Sequence, residues 1–473
     1  MSIQTNEIES WLADHRDEMV EELKRWVSIP SVSRADLAAD RAPYGPDCRK
    51  MLDYALQRGK DYGFKTVDNQ GYCGDIILGD AEDEFGFVCH LDVVPEGDGW
   101  IFEPYKPVEK DGFLIGRGVG DNKGSAILSL FVLRFFQEKK IPLKKSLRLM
   151  LGCAEETGMA DFKTYFGELG GHAPSLSIVA DCMFPVCYAQ KGGIDGTIHI
   201  PAGKNIVSFE AGLVRNSIPD TARLVLSGVD VKAAKDLLSG YADIEVSTVS
   251  EGVEIIGHGK AGHAAFPENS RNAIVLVAQA VSESGIGQFA DITGLDKVAA
   301  YFGSYYGAGL GIDFSDEATG KLTLNIGVIQ KKESELQGLI DIRYPVSYTG
   351  VQIVEIIKEK LTDGAALTDV EIASPYYADP NSNEVKALTE IYQEISGDTR
   401  APFSMGGGTY SRVVPNAITY GPGFPVKRKA SFLPEGHGGA HGRDEALYIE
   451  DWLKAFKIYV LTVERLAGEK AGE

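Results

Sequence analysis

Phe85-Gly-Phe-Val-Cys-His90 is a short apolar run that ends on a metal-competent side chain. Two runs of the same kind follow it: Ser146-Leu-Arg-Leu-Met-Leu-Gly-Cys153, just before Glu155-Glu156, and Leu176-Ser-Ile-Val-Ala180, just before Asp181. Alternating with helical stretches, such runs read as buried strands of an α/β domain whose mostly parallel sheet carries helices on both faces. In an open sheet of this type, ligands bind beyond the carboxyl ends of the strands. The three ionisable strand ends are therefore expected to converge on one site.

The flanking sequence fits this frame. Between the first two runs, Gly116-Arg-Gly-Val-Gly-Asp121-Asn-Lys-Gly124 opens an apolar helical stretch over residues 125–137, with Asp121 or Asn122 as its cap. Residues 8–27 read as an amphipathic helix. After Pro185 the texture changes. Gln190-Lys-Gly-Gly193 reads as a turn or hinge, and residues 197–372 mix alternating strands with helices near 272–284 and 351–361. Helical patterns at 384–395 and 450–466 then resume the first domain. The expected organisation is a catalytic domain built from residues 1–186 and 380–473, with an α+β lid domain, residues 187–379, inserted between them.

The chain has 473 residues, 44% hydrophobic and 24% charged, which is ordinary for a folded, soluble protein with two or three domains. Its 47 basic and 68 acidic residues leave a net charge of −21, which repels nucleic acid and anionic membrane alike. Residues 1–34 are charged throughout and lack the apolar core of a secretory signal. The six cysteines show no zinc-knuckle or redox spacing, so reduced thiols in the cytoplasm are expected. Gly257-His-Gly-Lys-Ala-Gly262 has the spacing of a dinucleotide fingerprint, but no ribose-binding acid ends a second strand, so a nucleotide role is set aside.

Five positions carry the chemistry. In His90-Leu-Asp92, strand alternation puts both side chains on one side, where Asp92 can bond one imidazole nitrogen while the other binds a metal. Glu155-Glu156 places two adjacent carboxylates against an apolar core, a repulsion that a cation relieves; one then binds the metal and the other serves as a general base. Asp121 and Asp181 sit at a helix start and a strand end. His441 lies in Gly439-Ala-His-Gly-Arg-Asp-Glu445 between glycines that let the backbone turn sharply. Each alone reads equally as a cap, a turn or a solvated charge. Gathered at one sheet edge, they supply five nitrogen and oxygen ligands suited to zinc or manganese, enough for two cations sharing one carboxylate. Such a pair acidifies water and polarises a carbonyl, the requirement for amide hydrolysis near neutral pH.

His90-Leu-Asp-Val-Val-Pro95, Gly116–Gly124, Glu155-Glu-Thr-Gly158, Asp181, Asn216-Ser-Ile-Pro219, Gly262-His263, Gly406-Gly-Gly-Thr-Tyr410 and His441-Gly-Arg-Asp-Glu445 follow one another along the chain. In combination and order these motifs resemble metallopeptidase family M20, the aminoacylase and carboxypeptidase clan, and within it the long dipeptidases of the PepV type that act on Xaa-His and β-alanyl dipeptides. The resemblance covers essentially the whole chain. It implies a zinc-exopeptidase-like fold and two zinc ions, with manganese or cobalt as alternatives. Asp121 would bridge them, His90 and Asp181 would bind one, and Glu156 and His441 the other. It further implies that Asp92 orients His90, that Glu155 is the general base and later the acid, and that the peptide after Asp121 is cis. From the insert, His263 with Asn216 would stabilise the oxyanion and Arg343 would clamp the substrate carboxylate. The long insert implies a monomer. The expected substrate is a small peptide with a free amino end; the alternatives are an N-acyl amino acid or carbamoyl amidohydrolase, and a catalytically silent peptide-binding relative.

Overall fold

The computed structural model describes residues 3–426 and 428–468, so the outer ends of the first and last expected segments lie outside the described residues. The chain forms two compact units. The first runs to Tyr188, returns for Ala378–Phe403 and continues from Thr409; the second comprises Ala189–Tyr377 and Ser404–Gly408. Ser404–Gly408 thus leaves the returning segment in which the sequence placed it. The reason is local: Lys191 N donates to Met405 O at 3.0 Å, and Gly406 packs against Ala265.

At the centre of the first unit four strands lie side by side: β1 (Glu84–His90), β2 (Ser146–Gly152), β3 (Leu176–Val179) and β4 (Ala417–Tyr420), in the order β2-β1-β3-β4. All neighbours in this set run parallel. The flanks are antiparallel. Cys73–Leu78 pairs with β2 and Lys65–Asn69 with Cys73–Leu78, while Val186 and Cys187 pair with Tyr420 and Thr419 of β4. Strand direction follows the length of the connection, and the short link between Lys65–Asn69 and Cys73–Leu78 permits only a hairpin.

Every residue of β2 is buried, as is every residue of β1 after Glu84. Alternation divides their side chains between two cores. Phe85, Phe87, Leu147, Leu149 and Leu151 join a core with helices α1 (Thr5–Val27), α2 (Lys123–Lys139) and α3 (Ile449–Ala467). Val88 and Met150 meet Phe162, Tyr165 and Tyr410 on the opposite face. Helix α2 is buried continuously from Lys123 to Phe136, as expected of a helix that is apolar nearly all round. Its one buried ammonium, that of Lys123, donates to the carbonyls of Trp26 (3.1 Å) and Ile29 (2.7 Å). At about 1.5–3 kcal/mol for each large apolar side chain buried, this packing dominates the unit's stability and leaves the strand ends free to carry polar chemistry.

The second unit is built on one continuous antiparallel sheet. Its order is Ile244–Val249, Gly252–His258, Thr221–Leu226, Ile206–Ala211, Thr323–Lys332, Glu335–Tyr344, Gly192–Pro201 and Ala366–Ala373. Gly192–Pro201 alternates strictly between buried and half-buried residues, the mark of a sheet covered on one face, here by helices that include Ala273–Glu283 and Thr293–Phe302. Gln190-Lys-Gly-Gly193 is not the expected turn: Val186–Gln190 and Gly192–Pro201 are interrupted only at Lys191. Gly192 is glycine for space, since a Cβ there would stand 2.0 Å from the Tyr344 ring.

Candidate metal centre and active site

Because β1, β2 and β3 run parallel, His90, Glu155-Glu156 and Asp181 emerge at the same sheet edge. Asp121 joins them from the turn before α2, and His441 from the loop before α3. His90 Nε2 lies 3.0 Å from Asp121 Oδ1 and 3.8 Å from Asp181 Oδ2. His441 Nε2 lies 3.0 Å from both Asp121 Oδ2 and Glu156 Oε1. The two oxygens of one carboxylate therefore face two different imidazoles. Ligand atoms of His90, Asp121 and Glu156 fall within 4.8 Å of one another, as do those of His90, Glu155 and Asp181. Ligand atoms about 2.0–2.2 Å from a tetrahedral cation stand roughly 3.4 Å apart, so this donor set fits divalent metal without rearrangement of the strands.

Unrelieved by cations, the cluster shares protons. Burial disfavours the charged form of His90, but hydrogen bonds to Asp121 and Asp92 outweigh it and hold the imidazole well above its ordinary value. Hydrogen bonds to Asp121 and Glu156 raise His441 to about 10. Burial pulls Asp121 upward, yet His441 and His90 together hold it below the usual carboxylate range. Asp181 is pushed up to about 7 by burial, and Glu155 well above its ordinary value by burial and then by Asp181. A buried histidine, His90, and an exposed one, His441, that share protons with the carboxylates around them are a site prepared for cations, which would displace those protons.

The surrounding hydrogen bonds fix the ligands. His90 Nδ1 lies 2.9 Å from the backbone oxygen of Asp92, which can only accept, so Nδ1 carries a proton and Nε2 is the nitrogen that turns a lone pair to the cluster once a cation displaces its own proton. The Asp92 carboxylate is 3.4 Å from the same nitrogen and accepts from Glu155 N (3.2 Å) and Glu156 N (3.0 Å), steering the two glutamates. From below, buried Asp161 accepts from Cys153 N (2.6 Å), Ala154 N (2.8 Å) and the Tyr410 hydroxyl. Gly152 must be glycine, because a Cβ would stand 2.0 Å from that hydroxyl oxygen.

Asn122, one of the two expected helix caps, occupies the cap position without capping. Its side chain instead accepts from His90 N (3.2 Å) and donates to Ala180 O (2.8 Å) and Asp181 Oδ1 (2.9 Å), joining the ends of β1 and β3 to the start of α2. The Asp121–Asn122 peptide is cis.

Glu445 and Asp444 act on the opposite side. Buried Glu445 accepts from Gly118 N (3.0 Å), Gly120 N (2.9 Å), Asp121 N (3.0 Å) and the Arg117 guanidinium (3.0 Å). Asp444 accepts from Ile101 N, Phe102 N and His437 Nδ1, the last at 2.6 Å. His437 is thus engaged away from the cluster, and His441, in the left-handed region at φ +59°, is the histidine that reaches it. Sequence reasoning assigned no role to Glu445, Asp161 or Tyr410. The available signal was their place within, or a few residues from, the quoted motifs.

In the second unit, Ser217–Ile218 pairs with Gly262–His263, and Ala264 N donates to Asn216 O at 3.0 Å, so His263 and Asn216 are neighbours. His263 Nδ1 accepts from Ala265 N at 3.1 Å, which leaves the ring proton on Nε2. Burial and then nearby Arg343 lower its pKa, keeping it neutral. Arg343 grips buried Asp341 through Nε (2.8 Å) and Nη2 (2.5 Å), leaving its Nη1 group for another acceptor.

The sequence profile of peptidase family M20/M25/M40 matches residues 86–465. The chain belongs to this family. As a member of peptidase family M20/M25/M40 it is a hydrolase, and its candidate ligand cluster accords with the divalent metal of the family's metallopeptidases. Over 474 residues it is 29% identical to the Bacillus subtilis (strain 168) protein named "Putative dipeptidase YtjP", covering 96% of this chain and 98% of that one. Its fold is shared with the di-peptidase Dug1p from Saccharomyces cerevisiae, at a TM-score of 0.58 and 14% identity over 98% of each chain. It is shared too with aminoacylhistidine dipeptidase from Vibrio alginolyticus, at a TM-score of 0.55 and 16% identity over 96% of this chain and 97% of that one. Among the described residues, no helix is long and apolar enough to cross a membrane.

Proposed function

We propose that this protein is a metal-dependent dipeptidase that hydrolyses the single peptide bond of small peptides with a free amino end. The observation that carries the reading is the Asp121 carboxylate, whose two oxygens each face a separate imidazole with further carboxylates beside them. That is the arrangement of a ligand shared by two cations: Asp121 would bridge, His90 and Asp181 would hold one, Glu156 and His441 the other. Zinc suits this donor set, with manganese or cobalt as substitutes. When bound, the cations supply Lewis acidity, acidifying a water and polarising the scissile carbonyl.

The chain's own residues do the rest. Glu155 takes a proton from the attacking water and returns it to the departing amine. Burial shifts its carboxyl upward, the direction required of a group that cycles a proton near neutral pH. His263 offers its Nε2 proton to the carbonyl oxygen as negative charge develops there, and Asn216 stands beside it. Arg343, its orientation fixed by Asp341, would offer its Nη1 group to the substrate's terminal carboxylate. The dipeptidase names borne by YtjP, Dug1p and the Vibrio enzyme support the substrate class.

The test is a panel of free dipeptides alongside N-acetyl and N-carbamoyl amino acids, assayed with metal-loaded protein. The reading predicts cleavage of dipeptides with a free amine. Preference for the N-acylated compounds would make the chain an amidohydrolase, and binding of dipeptides without turnover would make it a silent relative.

A further inference from the structure

Pro434-Glu-Gly-His-Gly-Gly-Ala-His441 is a mostly exposed, glycine-rich run, yet it presents His441 to Asp121 and Glu156 at one fixed place. Gly436, Gly438, Gly439 and Gly442 give this loop the greatest backbone freedom that any residue type allows. His441 (φ +59°) and Asp444 (φ +50°) lie in the left-handed region, which residues with a side chain leave readily unless their neighbours hold them there. Neither intrinsic preference nor burial in a core therefore fixes His441. Its support has to come from bonds across the loop.

We propose that His437 is a positioning residue that holds His441 at the metal centre through Asp444; this rests on the reading of His441 as a ligand of the second cation. His437 Nδ1 donates to Asp444 Oδ2 at 2.6 Å, since a carboxylate only accepts. Asp444 is buried, and its Oδ1 accepts from Ile101 N (3.0 Å) and Phe102 N (2.9 Å), so the pair ties the loop both to itself and to the neighbouring segment. Outside the pair, the ends of the loop are anchored separately. Phe432 meets the Phe102 and Phe113 rings edge to face, with centroids 6.4 and 6.0 Å away, and Ala446 pairs with Ile115. Between these anchors the backbone adds Gly438 N to Arg443 O (2.9 Å) and Gly442 N to Gly439 O (3.0 Å), and Arg117 Nη2 reaches His441 O only at 3.4 Å. A hydrogen bond to a carboxylate is stronger than these neutral ones, so the His437 to Asp444 bond dominates the closure of the loop.

The bond can be kept or removed at one position. Asparagine carries an N–H donor at the same δ position as the imidazole Nδ1, whereas leucine has comparable bulk and no donor. Chelated native protein, His437→Asn, His437→Leu and, as a reference, His441→Ala are titrated with zinc against a chromophoric chelator that competes for it. The native chain should bind two equivalents. His437→Leu should weaken one of them about tenfold, the low end for outer partners of a metal ligand, and leave the other unchanged. The unchanged equivalent, at His90 and Asp181, reports that the variant is folded. His437→Asn should bind both equivalents as the native chain does. Native affinities in His437→Leu overturn the proposal and leave the two-cation reading intact. So do equal losses in the asparagine and leucine variants, which would make the ring itself, rather than its donated proton, the feature that matters, and so does weakening of both equivalents together. His441→Ala that keeps both equivalents, or a native chain that binds only one, overturns the two-cation reading and the proposal with it.

Discussion

His441 Nε2 stands 3.0 Å from Asp121 Oδ2, on the carboxylate oxygen that His90 does not use. An amide in place of that carboxylate keeps one acceptor oxygen and presents N–H groups on the other side. Asp121→Asn is therefore expected to lower metal content per chain and to reduce dipeptide hydrolysis by at least about 100-fold, the upper range for losing even an outer partner of a metal ligand. Elemental analysis together with kinetics checks this, and a variant with native metal content would count against the shared-carboxylate arrangement.

Glu155 and Glu156 are adjacent and both lie near His90, so that proximity by itself leaves their roles exchangeable. The contact between Glu156 and His441 separates them. Glu155→Gln should retain bound metal and lose about 10²–10⁴-fold in kcat, the range for general acid–base groups. Glu156→Gln should lose metal first. Reversal of the two phenotypes would exchange the assignments.

Glu445 touches no proposed ligand side chain, yet it ties down the backbone of Gly118, Gly120 and Asp121. Glu445→Gln exchanges one carboxylate oxygen for an NH2 facing backbone donors. Metal affinity should fall about 10–100-fold, as for outer-shell partners generally. Excess metal should then restore much of kcat, which a catalytic role for Glu445 would not allow. Competition with a metal-binding dye reads the affinity directly.

Metal uptake should release protons. In the metal-free protein His441 is raised to about 10, so at pH 8 its imidazole is protonated, and His90 is shifted in the same direction; cations must displace the protons these imidazoles hold. Affinity should therefore rise with pH across this range. The linkage has the opposite sign for the metal-free fold: a raised His441 adds stability fully below about pH 6.5, and that contribution is lost as pH climbs through about 10. Adding metal to the chelated protein in weakly buffered indicator dye at pH 8 measures the release, and no colour change would contradict the protonated cluster.

Much of this was legible before the structure. The strand ends at His90, Glu155 and Asp181 are visible because a buried strand has a local signature and an ionisable residue at its end interrupts it. Strand direction has no local signature, and the antiparallel flanks were missed. The structure also reassigns polar residues whose partners are distant in sequence. Asn122 looked like a cap because caps are defined by their immediate neighbours, whereas its actual partners are His90, Ala180 and Asp181. The pairing of Asp161 with Tyr410 is likewise a product of the fold. Gly192 misled for a related reason, since a glycine required by the approach of the Tyr344 ring looks in sequence like one required by a turn.

The most direct measurement is stoichiometric return of zinc or manganese to exhaustively chelated protein, with hydrolysis of a free dipeptide such as Leu-Gly followed at each addition. Activity should be absent at the start and reach its plateau at two equivalents per chain. Full hydrolysis by the demetallated protein, or a plateau at a single equivalent, would contradict a centre in which Asp121 joins two cations.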